Sequence, residues 1–196
     1  MLNDWFNDLW RVLIAPHPNT FKEIAKHAED KFSSGVVWVL LAVLANRLLV
    51  WIDPNAPKYN PNDEAWAFVF LLILFPFLVI FFSYFLNFVY KKFFKRKRDC
   101  HQEIYYISVL IFVPFTIFTG LIRFLPFSPT VLLWPMWIVN VYQLILFVIA
   151  IQAITNLKYW QAFVTFATAL LLASFAFICF AAWLPSLMNS TATLMR

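Results

Sequence analysis

Glycine is nearly missing from this chain, with two in 196 residues, and charge is scarce, with 13% of residues Asp, Glu, Lys or Arg. A soluble domain is wetted by roughly 25% charged residues. Ten acids and fifteen bases cannot cover a globule this apolar, so lipid is the expected solvent for most of it. The lack of glycine excludes a loop-rich protein, and apolar residues that run continuously rather than alternating exclude a β-barrel. Two cysteines, Cys100 in a basic stretch and Cys179 inside the last apolar run, exclude a disulfide framework. Enzyme signatures are missing too: no His-x-x-x-His or Glu-x-x-His pair, no glycine-rich phosphate loop, no Gly-x-Ser-x-Gly. Nor is a secretory signal visible. Asp4 and Asp8 interrupt the first residues, so the first spanning helix is expected to act as the insertion signal and stay in place.

What the chain has is apolar length: 63% hydrophobic and 20% aromatic residues, with mean hydropathy +0.75. A membrane span needs ~20 apolar residues. Five runs meet that need, at 35–52, 65–90, 104–124, 131–154 and 162–184. Their short connections make neighbours antiparallel and leave no room for a soluble catalytic domain. The first connection, 53–64, carries Pro54, Pro57 and Pro61 with Asn and Asp, which is turn chemistry. The expected architecture is all-α and polytopic: five transmembrane helices (35–184) after a cytoplasmic amphipathic segment (1–34) that forms short interfacial helices, with a short non-cytoplasmic tail (185–196).

The second connection opens with 91–98, KKFFKRKR, which supplies Lys91, Lys92, Lys95, Arg96, Lys97 and Arg98. Bases concentrate on the cytoplasmic side of a membrane protein. Lys and Arg divide eleven to four between the two sides, with Lys58, Arg196, Arg47 and Arg123 in the minority. The N-terminus is therefore expected in the cytoplasm and the C-terminus outside. Trp38, Trp51, Trp66, Trp134, Trp160 and Trp183 fall near span ends, where their rings prefer the interface. The six bases of 91–98 are candidates for contact with anionic lipid headgroups. Pinned between two spans, they have no domain to present them to nucleic acid.

Residues 3–14 place Trp5, Phe6, Leu9, Trp10 and Leu13 on one helical stripe, with Asn3, Asp4, Asn7, Asp8 and Arg11 elsewhere. Such a segment is too short to span and reads as an interfacial helix. Pro16 and Pro18 break it, and Thr20 with Glu23 has the spacing of a capping box for a second helix. Phe21, Ile24, Ala25, Ala28 and Phe32 form that helix's apolar side, opposite Lys22, Lys26, His27, Glu29 and Lys31. Both helices lie on the membrane surface or pack under the bundle, as a cover for helix ends or as a partner- or curvature-sensing surface.

The spans are almost free of ionisable groups. Arg47 stands five residues from its span end, roughly 7.5 Å of rise and within snorkelling reach of the headgroups. No Asp, Glu, His or Lys lies mid-span, which argues against proton- or ion-coupled transport. Neutral polar residues remain, among them Asn46, Ser83, Thr116, Thr119, Gln152 and Thr165. Asn87, Asn140 and Gln143 are the candidate interhelical contacts, worth about 0.6 kcal/mol each, or alternatively the lining of a polar cavity. Pro76, Pro114 and Pro135 lie within spans and each removes a backbone donor. Asp99, Cys100, His101 and Glu103 cluster beside the third span, but without evident partners to close a metal site. No metal or cofactor is expected. Cys100 reads as a loop cysteine, exposed or acylated.

A lead ending in Val-Leu-Ile-Ala-Pro (12–16), then Asn-Thr-Phe-Lys-Glu-Ile-Ala (19–25), then five spans, resembles the Ypt-interacting-protein (Yip) family domain. The likeness continues through 105–124, with Pro114 mid-span, and through 137–162. It implies a non-enzymatic polytopic membrane protein with a cytoplasmic N-terminus. Eukaryotic members act in vesicle traffic and bind prenylated Rab-type GTPases and one another. This chain lacks their long N-terminal region, their Asp-Leu-Tyr-Gly-Pro segment and their Gly-Tyr pair, so Rab binding does not carry over. Its compact form is more like prokaryotic members, which implies the cytoplasmic (inner) membrane. The expected function is a scaffold or accessory subunit, associating through its helices with itself or other membrane subunits and contacting anionic lipid. The alternative is a small transporter, channel or lipid-handling protein using kinked spans and an Asn140/Gln143 polar face.

Overall fold

The structure, a computed structural model, describes residues 2–52, 61–122, 125 and 129–194. Its elements are α1 (Leu2–Ile14), α2 (Pro18–Ala25), a 3₁₀ turn (Glu29–Lys31), α3 (Phe32–Ile52), α4 (Pro61–Phe93), α5 (His101–Ile122), α6 (Pro129–Thr155) and α7 (Tyr159–Leu194). No strand occurs among the described residues. Helices α3 to α7 are each long and apolar enough to cross a membrane, as expected of the five hydrophobic runs. Pro54, Pro57, Lys58, Arg123 and Arg196 lie outside the described residues, as do the side chains of Trp66 and Trp183. α7 continues as helix to Leu194, past Pro185, where a tail was expected to begin.

The bundle is organised around α5, which packs against α3, α4 and α6 and receives α1 and α2 at one end. Every residue from Ile104 to Ile111 is buried, because α5 is apolar all round and has neighbours on each side. Phe82, Phe112, Phe147 and Phe166, one from each of α4 to α7, meet in the core. Phe82 lies edge-on to the other three at 5.8–5.9 Å between ring centroids, the arrangement that ring quadrupoles favour. The two glycines of the chain both stand on the α3/α5 seam. A Cβ on Gly35 would lie 3.0 Å from the Tyr105 ring, and one on Gly120 would lie 2.9 Å from Leu49 Cδ1 and 3.0 Å from Asn46 Oδ1.

Short connections end in left-handed residues. Lys95 (φ 50°) follows the end of α4 and Asn156 (φ 52°) follows α6, the position where a helix commonly reverses. Both α1 and α2, the 94–100 loop and the α6–α7 connection gather at one end of the bundle, hereafter the basic end.

Two local expectations are corrected. α2 is not started by a Thr20/Glu23 capping box. His17 is its N-cap, accepting from the Asn19 N–H through Nδ1 at 3.2 Å, and Pro18 takes the first helical position, which its fixed φ suits. Thr20 Oγ1 donates instead to Ala15 O, and Glu23 pairs with Arg11. Phe32 opens α3 rather than closing α2's apolar side, because the 3₁₀ turn leads straight into the span. Five span hydroxyls bond within their own helices. Ser83, Ser108, Thr116, Thr119 and Thr165 each donate to the carbonyl four residues back on their own helix, where it is always within reach.

Candidate functional site at the basic end

α1 has two apolar faces rather than one. Trp5 (4% exposed) and Val12 turn into the bundle, with Leu9 and Leu13 packed beside them. Phe6 (51%), Trp10 (66%) and Ile14 turn outward. The stripe expected from spacing is thus divided, because α1 lies against the bundle with its other side bare. Trp5 stacks on Trp38 of α3, ring centroids 3.8 Å apart and planes 13° from parallel.

Asp8 sits on the inner face, 7% exposed, one turn from Trp5 and Val12. Its Oδ2 accepts from Lys31 Nζ at 2.6 Å and from the Tyr106 hydroxyl at 3.1 Å, and Lys31 lies over the Tyr106 ring. A carboxylate this enclosed needs such partners. Tyr142 of α6 donates to Leu13 O at 2.5 Å, satisfying a carbonyl in the last turn of α1 that has no partner within the helix. Arg11 and Glu23 pair α1 with α2. This short helix, which sequence left either on the membrane surface or under the bundle, is held to α3 by ring stacking and to α2, the 3₁₀ turn, α5 and α6 by polar contacts.

The 91–98 run ends α4 and forms the loop into α5. Lys91 pairs with Asp99 at 3.1 Å and Arg98 with Glu103 at 3.0 Å. Lys92, Lys95, Arg96 and Lys97 are exposed and make no ion pair among the described residues. Asn87, buried on α4, holds the loop: its Oδ1 accepts from the Cys100 N–H and its Nδ2 donates to Asp99 Oδ1, both at 3.1 Å. Its contact is thus with the α4–α5 corner. Asp99 also accepts from the His101 N–H at 3.1 Å. That bond, with those from Lys91 and Asn87, lowers its pKa. Hydrogen bonding to Glu103 raises the pKa of Arg98. Cys100 is fully buried, not exposed in the loop, and burial pushes its thiol up to about 11. Among the described residues no group of His, Cys, Asp and Glu is arranged to hold a metal.

Beside this corner is a cavity of about 540 Å³. One wall is the face of α2 and its following turn, with Lys22, Ala25, Lys26 and Glu29 at helical spacing; Arg98, Asp99, Gln102 and Glu103 form another, and Ala153, Ile154 and Asn156 the floor. Asn140 and Gln143 do not line this cavity. Asn140 is exposed on the outer face of α6 and Gln143 is half-buried, and neither has a hydrogen-bond partner among the described residues.

The family model described as Yip1 domain matches residues 10–180. The chain belongs to that family. No curated protein and no solved structure matches it. The Yip1-domain match takes in the end of α1, all of α2 and the spans, so the strapped basic end falls largely inside the family's region. Family members are membrane accessory proteins rather than known enzymes, and this Yip1-domain chain is an integral, multi-pass one. Spacing missed Asp8, Lys31, Trp38 and Tyr106 as partners. The available signal was the position of Asp8, three residues after Trp5 and four before Val12, on a buried stripe.

Proposed function

We propose that this chain is a membrane scaffold or accessory subunit whose work is helix–helix association, in a homo-oligomer or a larger membrane complex. Asn140 carries the proposal. It lies ten residues into the apolar window of α6 that opens at Thr130, about 15 Å of rise, so it sits near mid-bilayer. Its neighbours on the outer face are Trp137, Ile138, Val141 and Leu144. An amide facing lipid lacks the partners it needs, and Asn, with donor and acceptor together, complements another copy of itself. An outward-facing Asn140 does not line a path through the bundle, which favours association over transport. The basic end faces the cytoplasm in this proposal, with the unpaired bases of 91–98 drawing anionic lipid at ~1 kcal/mol each.

Donor- and acceptor-labelled protein diluted in liposomes tests the association. Energy transfer above the random-proximity level is expected, with a fall in Asn140→Leu. A monomer at every density, with no protein co-purifying in mild detergent, would sink it. Flux of a solute or lipid through reconstituted protein, lost in Asn140→Leu with Gln143→Leu, would favour the transport alternative instead. A cysteine replacing Lys97 reports orientation through its access to impermeant reagents from one side.

A further inference from the structure

The cavity at the basic end has an unequal distribution of spent and unspent charge. Glu103 is occupied by Arg98, and Asp99 by Lys91, Asn87 and the His101 N–H. Lys22 and Lys26, one turn apart on the opposite wall, form no side-chain hydrogen bond or ion pair among the described residues, and nor does Glu29. Two free ammonium groups thus face a wall whose carboxylates are already satisfied, across a space within the usual range of small-ligand sites, roughly 300–1,000 Å³. Gln102 and Asn156 add neutral donors and acceptors. The floor, Ala153 and Ile154, is apolar and buried at the end of the α6 span, which places the cavity at the depth of lipid headgroups.

We infer that this cavity binds a phosphate ester bearing a hydrogen-bond donor on its far side, the phosphate held by Lys22 and Lys26 and the donor by Glu29. Two ammonium groups with rotatable donors suit a phosphate as point charges. The lone unpaired carboxylate excludes a second phosphate nearby but accepts from a hydroxyl or an ammonium. A phosphoglycerol headgroup has this chemistry, and so does a soluble ester such as glycerol 3-phosphate. The site is separate from the exposed 91–98 bases and does not depend on self-association.

The test uses the full chain, delipidated in maltoside, with phosphatidylglycerol, phosphatidylcholine or glycerol 3-phosphate as probe and native mass spectrometry as the readout. Saturable binding of phosphatidylglycerol, stronger than that of phosphatidylcholine, is expected. Lys22→Gln with Lys26→Gln should weaken it about tenfold or more, Lys22→Arg with Lys26→Arg should retain it, and Lys95→Gln with Lys97→Gln should leave it nearly unchanged. Glu29→Gln should narrow the preference over phosphatidylcholine, which has no donor arm. Binding of glycerol 3-phosphate with the same dependence on Lys22 and Lys26 assigns the site to a soluble ester; phosphatidylglycerol alone assigns it to lipid. Absence of saturable binding by either, or equal loss in the Lys95/Lys97 variant, overturns the inference. Lys22 and Lys26 are exposed and unpaired, so their Gln variants should unfold at the wild-type temperature; unchanged binding in that folded variant overturns it equally. The oligomeric state, read in the same spectra, is expected to be the same in all variants.

Discussion

The Tyr106 hydroxyl donates to Asp8 Oδ2 at 3.1 Å across 98 residues of chain. It ties the first helix to the central one, and Lys31 completes the contact at 2.6 Å. Tyr106→Phe removes one hydrogen bond to a charged group and should cost about 1.5–3 kcal/mol. Asp8→Ala leaves both the hydroxyl and a partly buried ammonium without their acceptor, so about 3–5 kcal/mol is expected. Thermal unfolding in detergent measures both. A double variant no worse than Asp8→Ala alone shows that the two side chains act through one contact.

The divided face of α1 separates two tryptophans that sequence spacing treats alike. Trp5→Ala opens a hole against Trp38 and should destabilise by about 3 kcal/mol. Trp10→Ala lies on the exposed side and should change stability by no more than about 0.5 kcal/mol. A spin label at position 10, in a chain cleared of Cys100 and Cys179, should collide more with oxygen than with an aqueous nickel complex; a label at exposed Asn7 should show the reverse. Equal aqueous access at both would mean that the outer face of α1 does not enter the interface.

The two cysteines should differ in reactivity. Cys100 is fully buried and its thiol is pushed up to about 11, so almost no thiolate forms at pH 8. Cys179 is exposed on α7. N-ethylmaleimide, which partitions into the detergent shell, should reach lipid-facing Cys179 slowly and Cys100 only after denaturation, as peptide mass spectrometry would read. Rapid labelling or native acylation at Cys100 would contradict the packed corner.

Asp99 gives the basic end an acid limit. Hydrogen bonds from the His101 N–H, Lys91 and Asn87 lower its folded pKa beneath an unfolded value near 3.9. A depressed carboxylate contributes stability that is complete above the unfolded pKa and is lost as pH falls through the folded one. Stability should therefore fall below about pH 4, and Asp99→Asn should flatten that limb while mattering most near neutrality. Asp99 is largely exposed, so the effect is small. Melting curves of both proteins from pH 3 to 7 would resolve it, and parallel curves would remove Asp99 as a source.

Hydropathy made the five spans legible, because length and apolarity alone decide them, and the bases of 91–98 marked the loop between the second and third. Sequence could not make the strap legible. Asp8 and Arg11 both read as the polar side of α1, yet one is buried beside Tyr106 and the other pairs with Glu23 at the surface. Which apolar stripe faces inward depends on what a helix packs against, and that is set by residues about a hundred positions away. Asn87 read as a contact between helices, but its amide instead holds the α4–α5 corner through Cys100 and Asp99. The cavity was illegible for the same reason: Lys22, Glu29 and Gln102 meet only after α2 folds beneath α5 and α6.

The near absence of glycine leaves one seam where close helix approach depends on it. Gly35 and Gly120 let α3 and α5 approach at the two ends of their contact, and their neighbours differ in how far they can yield. The atom facing Gly120 at 2.9 Å is Leu49 Cδ1, the tip of a flexible side chain. Gly35 faces Tyr105, a fully buried ring set 4.4 Å from Phe32, centroid to centroid. A methyl group at Gly35 must move the ring or the helix, an overpacking cost of about 1–3 kcal/mol. Alanine's better helix propensity returns up to about 1 kcal/mol at either position, so the neighbours decide the difference. Gly35→Ala should therefore unfold at a lower temperature than Gly120→Ala. Tyr105→Phe should not rescue it, since the ring carbon Cε1, not the hydroxyl, is the closest atom at 3.0 Å. Tyr105→Leu, which removes the ring, should restore part of the loss; if Gly35→Ala melts with the wild type, the seam is looser than these distances.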